Sequence, residues 1–167
     1  MKYYITGTRR GLGEALKEKY GSVNTLEECD VFINCKHDGF SQVDLLYKAA
    51  KLNKRIINIG SNSWMEAVGN FPAYATAKSA VHGLSRTLAR DLGKYRIRVN
   101  TVVPGWIMTE RQKELWVTPE GLENQYKRQC LPDLIKPVYV ARMVLFLASD
   151  DGAMCTANNY MVEAGSI

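Results

Sequence analysis

Short apolar runs rich in β-branched and aromatic residues alternate along this chain with segments of helical period. That alternation restricts the fold more than any other feature. Tyr3–Ile5, Val31–Ile33, Ile56–Ile59, Ile97–Val103 and Tyr160–Val162 read as strands. Leu12–Tyr20, Gln42–Leu52, Tyr74–Leu92 and Val138–Leu147 read as helices. In the third helix Val81, Leu84, Leu88 and Leu92 recur at helical spacing, and Gly93 supplies a stop. Pro72 and Pro137 stand just before helices, where proline is tolerated. Strands alternating with helices predict a parallel sheet covered on both faces, an α/β fold.

The 167 residues suffice to bury a core without disulfide or metal staples, and no linker divides them, so residues 1–167 are expected to form one domain. Hydrophobic content of 46% with 23% charged residues disfavours disordered and coiled-coil readings. The net charge of +5 is spread along the chain, so it suits a small polyanion better than nucleic acid, for which a basic stripe with interleaved aromatics is missing. No apolar run reaches the roughly 20 residues that span a bilayer. The glycine-rich turn comes too early for a signal peptide, and Cys29, Cys35, Cys130 and Cys155 have no zinc spacing. Free thiols in a cytoplasmic protein are expected. His37 lacks partner ligands nearby and His82 falls on a helix, expected at its surface or at a subunit contact, so no metal site is expected. Trp106–Lys136 is mixed in character and reads as an excursion over one sheet edge, a candidate lid.

The first strand runs into Thr6-Gly7-Thr8-Arg9-Arg10-Gly11-Leu12-Gly13 and then a helix. Gly7 permits a sharp turn, while Gly11 and Gly13 permit close approach of ligand and of helix to sheet. The free N–H groups of the helix then face a pyrophosphate. Arg9 and Arg10 add guanidinium groups suited to a 2′-phosphate, which favours NADP(H) over NAD(H).

The third strand ends at Gly60-Ser61, which places Ser61 at the carboxyl edge where open α/β sheets bind ligands. Tyr74 and Lys78 follow four residues apart, on one helix face. A phenol has a reference pKa of about 10. A nearby ammonium favours its ionised form, and a hydroxyl can hydrogen-bond an oxygen on which charge develops. Ser61, Tyr74 and Lys78 are the candidate catalytic set.

These motifs, in this order, resemble the short-chain dehydrogenase/reductase family, as an unusually short member similar to 3-oxoacyl-carrier-protein reductases. Thr6–Gly13 matches the cofactor turn, and Ser61, Tyr74 and Lys78 match the catalytic motif. Arg98–Gly105 is similar to the strand and Pro-Gly turn after the catalytic helix, and Phe146–Asp151 with Thr156 to the C-terminal signature. The resemblance implies a Rossmann-like parallel sheet and hydride transfer between a nicotinamide cofactor and a small carbonyl or alcohol. It implies that Tyr74 is the proton donor, that Lys78 binds the nicotinamide ribose and lowers the Tyr74 pKa, and that Ser61 positions the substrate oxygen. Gly7, Arg9, Arg10, Gly11, Leu12, Gly13 and Asn34 would hold the cofactor with Tyr74 and Lys78, and Pro104, Gly105, Ile107 and Thr109 would seat the nicotinamide. A homodimer or homotetramer is implied as well.

The chain departs from the family at identifiable places. Only Glu14–Cys29 separates Gly13 from Asp30, where two further strands and a helix would stand, so a truncated sheet of five or six strands is expected, lacking much of its adenine side. Either Ser22–Leu26 makes a short extra strand or the first helix changes face, and the Tyr3 strand lies at or near the sheet edge. The family's Asn-Asn-Ala-Gly turn is reduced to Asn34-Cys35-Lys36-His37, and the asparagine that often completes the catalytic tetrad has no clear match, Asn53 falling at a helix end. Two other readings stay open: a nucleotide-binding or scaffold protein that keeps the fold without turnover, and a sugar-nucleotide epimerase or dehydratase. Substrate identity is expected to lie in Asn62–Asn70 and Trp106–Lys136, around Trp64, Met65, Trp106 and Met108.

Overall fold

The structure, a computed structural model, describes residues 1–9, 11–36, 43–52 and 55–166. Its elements are β1 (Tyr3–Thr6), α1 (Leu12–Tyr20), β2 (Val31–Asn34), α2 (Val43–Lys51), β3 (Arg55–Ile59), α3 (Pro72–Leu92), a 3₁₀ turn at Gly93–Tyr95, β4 (Val99–Pro104), α4 (Glu110–Leu115), α5 (Pro119–Arg128), α6 (Pro137–Ala148) and β5 (Asn159–Val162). The five strands are all parallel and lie in the order β1-β2-β3-β4-β5. β1 therefore forms one edge, as expected.

Side chains alternate between two cores. On one face Ile5, Val31, Ile33, Ile57 and Val102 pack with Leu16 of α1 and with Val140, Val144 and Leu147 of α6. On the other, Phe32, Ile56 and Val99 pack with Leu46 of α2 and Leu88 of α3. Because the strand order steps in one direction throughout, helices on opposite faces mean connections of opposite hand. One pair therefore runs against the usual right-handed rule.

The first connection explains how. After α1 the chain rounds the free edge of β1, where Val23 N donates to Tyr3 O at 2.9 Å and Ile5 N donates to Ser22 Oγ at 3.2 Å. It then buries Leu26 and Cys29 under the α2 and α3 face before entering β2. One main-chain bond is not a strand, so α1 and α2 keep opposite faces and Ser22–Leu26 serves as a cover for the edge.

At the amino end of the sheet, the segment after α6 is tied down. Arg98 donates to Ser149 O at 3.0 Å and Cys155 O at 3.3 Å, and Asn100 Nδ2 donates to Cys155 O at 2.7 Å. The first half of the Arg98–Gly105 motif is thus structural. The excursion holds two short helices that hydrophobic period did not separate. Thr109 caps α4 by accepting from Gln112 N, and Thr118 caps α5, with Pro119 in its first turn, by accepting from Gly121 N. Among the described residues no helix is long and apolar enough to cross a membrane, and the four cysteines are free.

Candidate active site

In open parallel sheets a crevice opens beyond the carboxyl ends of neighbouring strands whose helices leave to opposite faces. β1 leads to α1 on one face and β2 to α2 on the other, so a crevice opens between them, at the glycine turn.

Gly7 has φ +72°, and a Cβ there would lie 3.0 Å from Cys35 C and O. A Cβ on Gly13 would lie 2.4 Å from Gly7 O, so α1 starts closer to the turn than any side chain permits. Gly11, also at φ +72°, precedes α1 without a side-chain cap, and among the described residues nothing beyond its chain neighbours stands within 4 Å of its Cβ position. Uncapped first-turn amides at a glycine turn fit a phosphate. Leu12 begins α1 and packs into the core beneath. Arg9 is exposed at the turn. Arg10 and His37 lie outside the described residues, as does Asn53.

Cys35 packs against Gly13 behind the turn, where burial pushes its thiol up to about 12 although the Lys78 charge works against that shift. It stands where the resemblance expects a second asparagine. Asn34, one residue earlier, is 2% exposed and joins a row that crosses four of the five strands. Thr6 Oγ1 donates to Asn34 Oδ1 at 3.0 Å, Asn34 Nδ2 to Asn58 Oδ1 at 3.2 Å, and Asn58 Nδ2 to Ser85 Oγ of α3 at 2.9 Å. Thr101 Oγ1 of β4 donates to the same Ser85 oxygen at 2.7 Å. Thr6, Asn34, Asn58 and Thr101 share one register row. Sequence reasoning missed Asn58, Ser85 and Thr101, although a lone asparagine inside Ile56-Ile57-Asn58-Ile59 is a polar interruption that a buried strand must satisfy.

α3 presents Tyr74, Lys78 and His82 one turn apart. Lys78 is 2% exposed, and its Nζ donates to Ile59 O at 2.7 Å and Lys36 O at 3.3 Å. It thereby bridges the ends of β3 and of the loop after β2, with its Nζ 5.9 Å from the Tyr74 ring centroid. Burial raises the Tyr74 pKa, and a hydrogen bond with Ser61 partly offsets the rise. The net shift follows burial, while the Lys78 ammonium is directed at two carbonyl oxygens. Ser61 is 8% exposed, and its hydroxyl also donates to Ser63 Oγ at 3.0 Å.

His82 is not at the surface. It is 8% exposed beneath the Gly60 turn, its Nε2 has no hydrogen-bond partner among the described residues, and the Trp64 ring meets it edge-on with centroids 5.1 Å apart. Gly60 is required there, since a Cβ would lie 3.0 Å from that nitrogen. Burial lowers the His82 pKa.

The second crevice lies between β3 and β4, whose helices α3 and α6 also take opposite faces. Pro104 O accepts from Asn62 N at 3.2 Å, so the turn after β4 touches the loop after Ser61. Gly105 packs against Ile135 and Glu163, and Ile107 pairs with Ile135. Thr109 is the α4 cap already described. The substrate side is shaped by contacts the sequence did not indicate. Glu66 accepts from Asn62 and from Arg128 of α5, and Phe71, just before α3, meets Trp116 edge-on at 6.0 Å. The cofactor turn, Lys36, Lys78, Ser61, Tyr74 and Pro104 are thus brought to one carboxyl edge. Among the described residues no cluster of three or more His, Cys, Asp or Glu could hold a metal ion.

A family profile described as enoyl-(acyl carrier protein) reductase matches residues 10–166, nearly the whole chain. The chain belongs to the short-chain dehydrogenase/reductase family. Within that family it is 48% identical over 110 residues to a D-xylose 1-dehydrogenase of Caulobacter vibrioides, covering 66% of this chain and 44% of that protein. It is 40% identical over 110 residues to a probable galactose dehydrogenase of Rhizobium meliloti, covering 66% and 43%. The chain thus spans less than half the length of these curated relatives. A solved 4-hydroxyisoleucine dehydrogenase complexed with NADH superposes with a TM-score of 0.86 at 20% identity, over 99% of this chain and 98% of that one. That likeness establishes the fold, a Rossmann-like parallel sheet reduced here to five strands.

Proposed function

We propose that this protein is a nicotinamide-dependent oxidoreductase that interconverts a carbonyl and an alcohol, with Ser61, Tyr74 and Lys78 as its catalytic set. The observation that carries this reading is the hydrogen bond between Ser61 and Tyr74 beside Lys78, at the edge that also holds the glycine turn. Bound nicotinamide cofactor supplies or accepts the hydride. The buried, neutral Tyr74 phenol gives its proton to the carbonyl oxygen during reduction, and takes one from the alcohol in reverse. Ser61 donates a hydrogen bond to the same oxygen as charge develops on it. Lys78 fixes the Tyr74 helix against β3 and offers its ammonium to the cofactor ribose. The first-turn amides of α1, with Gly7, Gly11, Leu12 and Gly13, receive the phosphates, and Asn34 holds the loop beside them. Pro104, Gly105, Ile107 and Thr109 seat the nicotinamide. Arg9 and Arg10 favour NADP(H) over NAD(H).

Residues 1–167 act as one domain in this reading, since one core joins β1 to α6 and the other packs β1–β4 against α2 and α3 of the same sheet. The relatives' names point to aldoses as first substrates to test. A cytoplasmic homodimer or homotetramer belongs to the same reading, with light scattering as its check.

The test is purified protein with NADPH or NADH, first in binding titrations, then with aldoses, ketones and 3-oxoacyl thioesters. Saturable binding and turnover of one class are expected. Absence of binding sinks the reading. The shortened segment Glu14–Cys29 favours the second reading, a nucleotide-binding protein without turnover, whose signature is cofactor binding with no oxidation or reduction of any substrate.

A further inference from the structure

Dinucleotide-binding sheets consist of two mononucleotide-binding halves that meet where the strand order reverses. Here the order runs from β1 to β5 without reversal, and β1 is an edge. The outer side of that edge is already closed, by the Val23-to-Tyr3 main-chain bond and by Ser22 Oγ on Ile5 N. Past it the chain turns under the opposite face at Leu26 and Cys29 and returns to β2, where Asp30 N donates to Lys2 O at 2.9 Å. Among the described residues no strand or helix stands beyond β1. The residues for the reacting half are all on the other side, since Lys36, Lys78, Ser61, Tyr74 and Pro104 sit at the ends of β2, β3 and β4.

From this geometry we infer that the chain recognises one nucleotide, not two: its ligand is the nicotinamide mononucleotide half of the cofactor, and the adenosine half adds little to binding. The inference rests on the oxidoreductase reading above and specifies what that site holds. The uncapped amino end of α1, after Gly11, would hold the phosphate of the mononucleotide. The nicotinamide and its ribose extend towards Lys78 and Tyr74. Among the described residues no second half-sheet would give the adenine base a wall. Any advantage of a dinucleotide then comes from the charges of Arg9 and Arg10 on additional phosphate, which acts through space and is screened by salt.

The experiment is a calorimetric titration of the full chain with reduced nicotinamide mononucleotide, NADH and NADPH, at low and high salt. Adenosine monophosphate and oxidised nicotinamide mononucleotide serve as competitors. The mononucleotide is expected to bind within about tenfold of NADH. NADPH should exceed both by a margin that shrinks at high salt and in Arg9→Gln. The oxidised mononucleotide should displace NADH where adenosine monophosphate at the same concentration does not. NADH binding a hundredfold tighter than the mononucleotide, or displacement by adenosine monophosphate alone, would overturn the inference while leaving the oxidoreductase reading intact. Binding of none of the three would overturn both.

Discussion

The ammonium of Lys78 donates to the carbonyl oxygen of Ile59 at 2.7 Å, which pins the helix that carries Tyr74 to the end of the strand that leads into Ser61. Ser61 and Tyr74 come from different elements, and this bond fixes their relative height. The same nitrogen reaches Lys36 O, so the loop behind the glycine turn is held by the same side chain.

The row from Thr6 to Ser85 aligns the same elements lower in the sheet. Asn58→Leu removes the central amide, leaves the buried Asn34 amide without its acceptor and takes one of two donors from Ser85 Oγ. An unsatisfied buried group costs about 1–3 kcal/mol, and a loss of that size is expected in denaturant unfolding. A loss below about half a kcal/mol would mean that the row is not a structural tie.

Gly13→Ala places a methyl 2.4 Å from Gly7 O, a backbone atom that cannot swing aside. The turn and α1 must separate, at about 1–3 kcal/mol in stability. Cofactor affinity should fall with it, because the amides that face the phosphate move. Unchanged thermal midpoint and unchanged titration would show that the turn does not hold the ligand.

Burial keeps His82 neutral in the folded chain, with a pKa below its ordinary value. The unfolded chain binds a proton at about pH 6.5, so below that pH the unfolded state holds more protons and stability falls as pH falls. His82→Phe should show a shallower loss of thermal midpoint between pH 7.5 and 5.5 than the parent chain. Equal slopes would indicate that the ring titrates freely.

Much of this was legible in the residues. The period of each segment located the strands and long helices, and Gly7, Gly11 and Gly13 marked the turn because few other residues fit it. Ser61, Tyr74 and Lys78 were legible by type and spacing. What was not legible depended on three-dimensional partners. Spacing does not reveal that Tyr74 is buried, the main cause of its raised pKa, nor that Lys78 is directed at Ile59 and Lys36. His82 was expected outside, because its neighbours Val81 and Leu84 gave no warning that it fits under Gly60. The path of Ser22–Cys29 was open in sequence, since a single edge bond and two buried side chains decide it. The helices α4 and α5 were announced only by their caps, Thr109 and Thr118.

The raised Tyr74 pKa also has a consequence in pH. Reduction uses the protonated phenol, so its rate should hold on the alkaline side up to the free phenol value of about 10. Oxidation uses the ionised form and should climb across the same range. A reductive limb that falls near neutrality would contradict the buried, neutral phenol.

The most direct measurement is the comparison of Tyr74→Phe with the parent chain, under saturating cofactor, on whichever substrate the parent turns over. Loss of the phenolic proton donor should lower turnover by about a hundredfold or more, with cofactor affinity changed less than about threefold. Turnover by Tyr74→Phe at the parental rate would contradict the account.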